Sequence, residues 1–185
     1  MNYRSVVLFP VLIIAGTSIS LAQTPSTTAP PAGTAMRGTM SMMSPQEFVT
    51  KAGMDGMTEV QLGQLAAKQG HSSDVTQFAQ QMVSDHGKAN TELTTLAKRK
   101  NLTVPTALDS EHQAMVQMLS AKSGAALDGA YANEMVSMHD KAIALFTRAS
   151  SSTDADIAEF AKKTLPTLQM HKQMAQKLAA KSAGQ

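Results

Sequence analysis

The sequence predicts an all-α protein, an antiparallel four-helix bundle with an extra short helix in the crossover between its second and third long helices. Apolar residues recur at the helical period in four long stretches, and no stretch alternates between apolar and polar residues as a strand does. Aromatic residues make up 4% of the chain, tryptophan is absent and methionine occurs 14 times. Such a core of small and flexible side chains suits closely packed helices.

Residues 1–22 are predicted to be a signal peptide. Arg4 precedes an apolar run that ends in Ser20-Leu21-Ala22, with small residues where cleavage before Gln23 requires them. A membrane anchor is the alternative, but Pro10 and Gly16 interrupt the run and no basic flank follows it. We expect a periplasmic or secreted bacterial protein that keeps no transmembrane segment after cleavage.

Residues 23–44 are predicted to be a disordered linker, since Thr, Pro, Ala and Met dominate them and such a composition buries little surface. Clustered thioethers are soft ligands suited to Cu(I), and Met36, Met40, Met42 and Met43 lie in this linker. A tail without a ligand role is the favoured interpretation. The bundle domain is predicted to cover residues 45–180.

The first two long helices have clear start signals. Ser44, Pro45 and Glu47 form a capping box with proline at the first helical position, which predicts helix A from there to about Gln69. Helix B is predicted to begin at the serines 72–73 and to run to about Lys100, with the most regular apolar stripe of the chain.

The second half of the bundle follows a long crossover. A connector over 101–109 leads to a short helix near 110–119, and a break at 123–124 precedes helix C, predicted from about Ala125 to Ala149. Helix D is predicted to start after Asp154 and to kink at Pro166 rather than end there. The crossover lets helices B and C lie apart.

Charge and cysteine content exclude several classes of protein. The formal charge is +2, from 16 basic and 14 acidic residues that are spread over the presumed solvent faces, so no nucleic-acid partner is expected. The chain contains no cysteine, which excludes disulfides, thiolate metal sites and cysteine nucleophiles.

Four ionisable residues are predicted to point into the bundle: Glu59, His86, Glu134 and His171. Steps of 100° per residue place each of them on the apolar face of its helix. Counting the rise from the turns places Glu59 at the depth of His86 and Glu134 at the depth of His171, so two Glu/His pairs are predicted.

Two interpretations of these residues stay open. In the first, each histidine is a core residue satisfied by a carboxylate or carbonyl, because burying either group alone is costly. In the second, the four residues bind one transition-metal ion, with Met82, Asp85, Met138 and His139 as possible neighbours. The residues favour the first interpretation, without a cofactor.

The remaining histidines are predicted to lie outside the core. His139 is placed towards the flank of helix C, His112 in the short helix, and His71 in the turn between helices A and B. We therefore expect solvent or rim positions for all three.

Several segments carry a resemblance to a known family. The segments are residues 48–53, 59–63, 81–86, 131–139 and 165–171, which read FVTKAG, EVQLG, QMVSDH, YANEMVSMH and LPTLQMH. Over residues 46–178 the chain resembles the exported bacterial family called domain of unknown function four-one-four-two, which is assigned to the ferritin-like superfamily.

This resemblance implies a ferritin-like bundle, in which Glu59, His86, Glu134 and His171 match the order of di-iron ligands. The chain departs from the di-iron pattern three residues before each helix B and D histidine, where Val83 and Leu168 replace the bridging carboxylates. A di-iron enzyme is therefore not expected. We expect a non-enzymatic envelope or stress-related protein, with a copper- or iron-binding protein as the alternative.

Overall fold

The computed structural model describes residues 43–184, and these residues form five helices and no strand. The helices are α1 (Pro45–Gln69), α2 (Ser73–Arg99), α3 (Ser110–Ser120), α4 (Gly124–Ala149) and α5 (Ala155–Ala183). The all-α prediction is confirmed. The predicted signal peptide, and the predicted linker up to residue 42, lie outside the described residues.

Short polar side chains cap three of the helices, and α1 and α5 begin where the sequence predicts. The Ser44 hydroxyl accepts a hydrogen bond from the Glu47 amide at 3.1 Å. Asp109 caps α3, and Asp154 caps α5 by accepting from the amide of Ile157 at 3.2 Å. These bonds satisfy amides that have no partner within the first helical turn. Helix α5 continues through Pro166.

The start of α2 is held by a residue of another helix. Ser72 occupies the cap position but makes no side-chain cap bond. Instead, the buried carboxylate of Asp128 on α4 accepts from the amide of His71 at 3.0 Å and from that of Ser72 at 2.7 Å. Asp128 therefore ties the turn between α1 and α2 to α4.

The four long helices contact one another in the cyclic order α1, α2, α5, α4. The C-terminal part of α1 shares one apolar cluster with the N-terminal parts of α2 and α4 and the C-terminal part of α5. The opposite ends share a second cluster. Each helix thus runs antiparallel to its two neighbours, and α2 and α4 lie on a diagonal.

The crossover with α3 covers one side of this arrangement. It returns the chain from the end of α2 to the start of α4, and α3 packs on α1 and α4 with Leu119 buried. None of the helices in residues 43–184 combines the length and the apolar character needed to cross a membrane.

Candidate metal centre

A polar layer separates the two apolar clusters. Glu59 on α1, His86 on α2, His139 on α4 and His171 on α5 each lie between the residues that their helix gives to one cluster and those it gives to the other. All four side chains are buried. The middle of the bundle is therefore built from one carboxylate and three imidazoles.

The three imidazole rings form a nearly equilateral triangle. The ring centroids lie 5.5 Å apart for His86 and His139, 5.3 Å for His86 and His171, and 5.5 Å for His139 and His171. One ring nitrogen of each lies within 4.8 Å of the other two. A single ion bound about 2.0 Å from three imidazole nitrogens would separate the centroids by about 5.2 to 5.5 Å. The spacing of the ring centroids is therefore the one expected for three imidazoles around a single ion.

Each ring has one nitrogen fixed by a hydrogen bond or ion pair. His86 Nδ1 lies 2.9 Å from Glu59 Oε2, and His171 Nε2 lies 3.0 Å from Asp85 Oδ2. His139 Nδ1 lies 2.9 Å from the carbonyl oxygen of Met135. These acceptors take one N–H from each ring, which fixes the ring orientation and leaves the other nitrogen available.

The other three ring nitrogens have no partner. Among residues 43–184, the buried side-chain atoms without a hydrogen bond are His86 Nε2, His139 Nε2, His171 Nδ1, Glu59 Oε1 and the Tyr131 hydroxyl. Glu59 Oε1 lies 3.4 Å from His139 Nδ1, whose proton points to Met135 instead. A buried polar atom left without a partner costs about 1–3 kcal/mol. Three imidazoles with one such nitrogen each, on rings whose centroids lie 5.3 to 5.5 Å apart, fit a metal ion that would use their lone pairs.

Burial and mutual charge set the protonation of these groups. Burial would lower the pKa of His86, but the charge and hydrogen bond of Glu59 outweigh it and raise the pKa above its usual value. Burial would raise the pKa of Glu59, but His86 and the other two imidazoles hold it below its usual range. Burial and the charge of His86 lower the pKa of His171 to about 4.

Burial is the largest cause of the pKa shifts of His139 and Tyr131. Burial lowers the pKa of His139, and the charge of His86 lowers it further. Burial and then the Glu59 charge raise the pKa of the Tyr131 phenol. Without a metal, Glu59 therefore favours the protonated form of His86, whereas burial favours the neutral forms of His139 and His171.

Residues 29–178 match the family described as domain of unknown function, DUF4142. The chain belongs to this family. None of the curated proteins compared with it matches. The DUF4142 chain is also similar to the crystal structure of a DUF305 fragment from Deinococcus radiodurans, with a TM-score of 0.67, 13% identity, and coverage of 75% of this chain and 98% of that one. This likeness supports the helical fold and carries no function.

The DUF4142 chain brings together three of the four residues that the sequence placed inside, and leaves out the fourth. Glu59, His86 and His171 meet in the polar layer. Glu134 is half-buried, and its carboxylate makes no hydrogen bond or salt bridge within residues 43–184. The predicted pair of Glu134 and His171 is therefore wrong, and Asp85 on α2 takes the place of Glu134 beside His171.

His139 is the residue whose placement needs the largest correction. It was expected at the flank of its helix, but its side chain is fully buried and completes the triangle. Helix α4 packs against α1, α5 and α3, so its buried arc is wider than one stripe. The available signal was the spacing of Met135, His139, Ala142 and Phe146, which follows the helical period.

The structure also places the two methionines that were named as possible neighbours and the two remaining histidines. Met82 and Met138 are buried in the first apolar cluster. His71 is exposed as expected. His112 lies on the rim, where its two nitrogens face Asp109 at 2.7 Å and Asp55 at 3.3 Å.

Proposed function

We propose that this protein binds one transition-metal ion through His86, His139 and His171. The observation that carries the proposal is the triangle of buried imidazoles, each with one nitrogen held by an acceptor and one without a partner. Histidines that bind metals have this arrangement, because an acceptor on the outer nitrogen orients the ring and raises its basicity.

The donor set favours copper or zinc over iron. Three neutral imidazoles suit Cu and Zn, whereas mononuclear non-haem iron sites commonly pair two histidines with a carboxylate. Within residues 43–184, the group of possible ligand atoms that lie within 4.8 Å of one another consists of the three histidines and includes neither Glu59 nor Asp85. Each carboxylate instead contacts the ring nitrogen opposite the unpartnered one, where it would balance part of the ion's charge.

The proposal is a binding role in an exported protein rather than an enzymatic one. The predicted signal peptide supports export. The cavity that reaches Glu59 and His86 has a volume of about 20 Å³, whereas pockets for small molecules commonly measure about 300–1,000 Å³. The surroundings therefore favour holding an ion over converting a substrate.

Metal analysis of natively exported protein tests the proposal. Near-stoichiometric copper or zinc is expected in protein isolated from the periplasm, and it should be lost in the His86→Ala, His139→Ala and His171→Ala variants. His71→Ala is the matched control, because His71 is exposed in the α1–α2 turn. Absence of bound metal, together with no rise in Tm on adding Cu(II) or Zn(II), would overturn the proposal.

A further inference from the structure

We propose that the ion reaches the buried imidazoles through Asp55, which the rim residue His112 covers. This inference rests on the proposed metal-binding function and adds a route to it. A buried site needs a path by which the ion enters and leaves. An inner cavity and an outer groove, which share Asp55 as a lining residue, mark such a path.

The inner space touches the polar layer. A cavity of about 20 Å³ has five polar lining residues, which are Asp55, Glu59, His86, Asn90 and Thr164. About 10–15 Å³ is enough for one water molecule. The cavity therefore has room for one small species next to the Glu59–His86 pair.

The outer space opens to solvent between α1, α3 and α4. This groove of about 470 Å³ is lined by Asp55, Asp109, His112 and Lys141, among others. Asp55 lines both spaces, and its side chain is 29% exposed whereas that of Glu59 is 2% exposed. Asp55 therefore stands at the boundary between solvent and the interior.

Two carboxylates lead inwards from this boundary. Asp55 and Glu59 are four residues apart on α1, so they lie on the same face, one turn apart. Glu59 Oε1 has no hydrogen-bond partner, and Glu59 Oε2 already contacts His86. A divalent cation can pass from one carboxylate to the next and then to the histidines.

His112 closes the outer end of the route. Its Nε2 lies 3.3 Å from Asp55 Oδ1, and its Nδ1 lies 2.7 Å from Asp109 Oδ1. This ring therefore occupies the oxygen that an incoming cation would contact first. Lys141 in the same groove adds a positive charge that slows entry further.

The route predicts opposite effects for two substitutions on the kinetics of Zn²⁺ exchange. Asp55→Leu should slow both loading and release, by roughly tenfold or more, because it removes the charge that attracts the ion. His112→Ala should accelerate both. Neither residue contacts the imidazole triangle, so the ratio of the two rates, which gives the Kd, should stay near that of the wild type.

The experiment is stopped-flow mixing of the full metal-free protein with Zn²⁺, followed by transfer of the bound ion to excess chelator. Asp74→Leu is the matched control, because Asp74 pairs with Lys181 on the surface at the α2 start and should leave both rates unchanged. Circular dichroism checks the fold of each variant.

The outcomes separate this inference from the proposed function. A wild-type protein that takes up no metal ion would overturn the proposed function itself. Zn²⁺ binding with rates unchanged in both Asp55→Leu and His112→Ala would overturn the route alone. Slowing by Asp85→Leu but not by Asp55→Leu would also overturn it, and would place the entrance beside His171 instead.

Discussion

Glu59 Oε2 lies 2.9 Å from His86 Nδ1, and both side chains are almost completely inaccessible to solvent. The two residues lie on neighbouring helices and form the ion pair of the polar layer. The pair fixes the ring of His86, whose Nε2 has no hydrogen-bond partner and whose centroid lies 5.5 Å from that of His139 and 5.3 Å from that of His171.

Removing the carboxylate should destabilise the metal-free protein. In Glu59→Ala the raised pKa of His86 loses its main cause, and a buried imidazole is left without its acceptor. Breaking a buried pair from one side typically costs about 3–5 kcal/mol. Urea denaturation should show this loss, whereas Glu92→Ala, which breaks the exposed pair with Lys163, should change stability by less than about 1 kcal/mol. Equal effects of the two substitutions would contradict the assigned role of Glu59.

His139 and Glu134 should differ sharply in their effect on metal affinity. His139→Ala removes one of three ligands and should weaken metal binding by about 100-fold or more. Loss of a hydrogen-bond acceptor that only orients a ligand already lowers metal affinity by about 10–100-fold. Glu134→Ala should leave the affinity unchanged, since its carboxylate makes no hydrogen bond or salt bridge within the described residues. Isothermal titration with Zn²⁺ measures both. The reverse result would restore the residue set expected from the sequence.

Asp128→Ala should destabilise the protein through the α1–α2 turn. The buried carboxylate accepts from the amides of His71 and Ser72, which would lose their partners. Loss of such a cap costs about 2 kcal/mol. Thermal melting with Asp140→Ala as control, at an exposed aspartate of the same helix, should show a lower Tm for Asp128→Ala alone.

The attachment of α3 should weaken as pH rises. Burial would lower the pKa of His112, but hydrogen bonds and charges of Asp109 and Asp55 outweigh it, so its pKa is raised when folded. Because the pKa of His112 is higher in the folded protein, the stabilisation from its protonated form is fully present below the histidine pKa of the unfolded chain, about 6.5. This stabilisation is lost as the pH rises through the pKa of His112 in the folded protein.

Hydrogen exchange of the α3 amides measures this effect. The wild-type protein should protect α3 better than His112→Gln at pH 5, and the difference should shrink by pH 9. A difference that is constant over this range would show that the charge of His112 contributes nothing to the attachment of α3.

The sequence determined the helices of this protein. Local signals set their ends, since the caps at Ser44, Asp109 and Asp154 depend on residues three positions away. The helical period of α2 placed His86 inside, and the same reasoning placed Glu59 and His171. The ferritin-like assignment and the export signal stay predictions from the sequence.

The tertiary structure decided which polar residues meet. Helix α4 is covered on several sides, so one stripe does not define its buried arc, and His139 lies inside while Glu134 lies at the edge. Asp85 reaches His171 and Asp128 reaches the α1–α2 turn across contacts between helices far apart in sequence. Helical periodicity predicts in which direction a side chain points from the axis of its own helix. A metal centre also depends on the distances between the helices, and only their packing sets these distances.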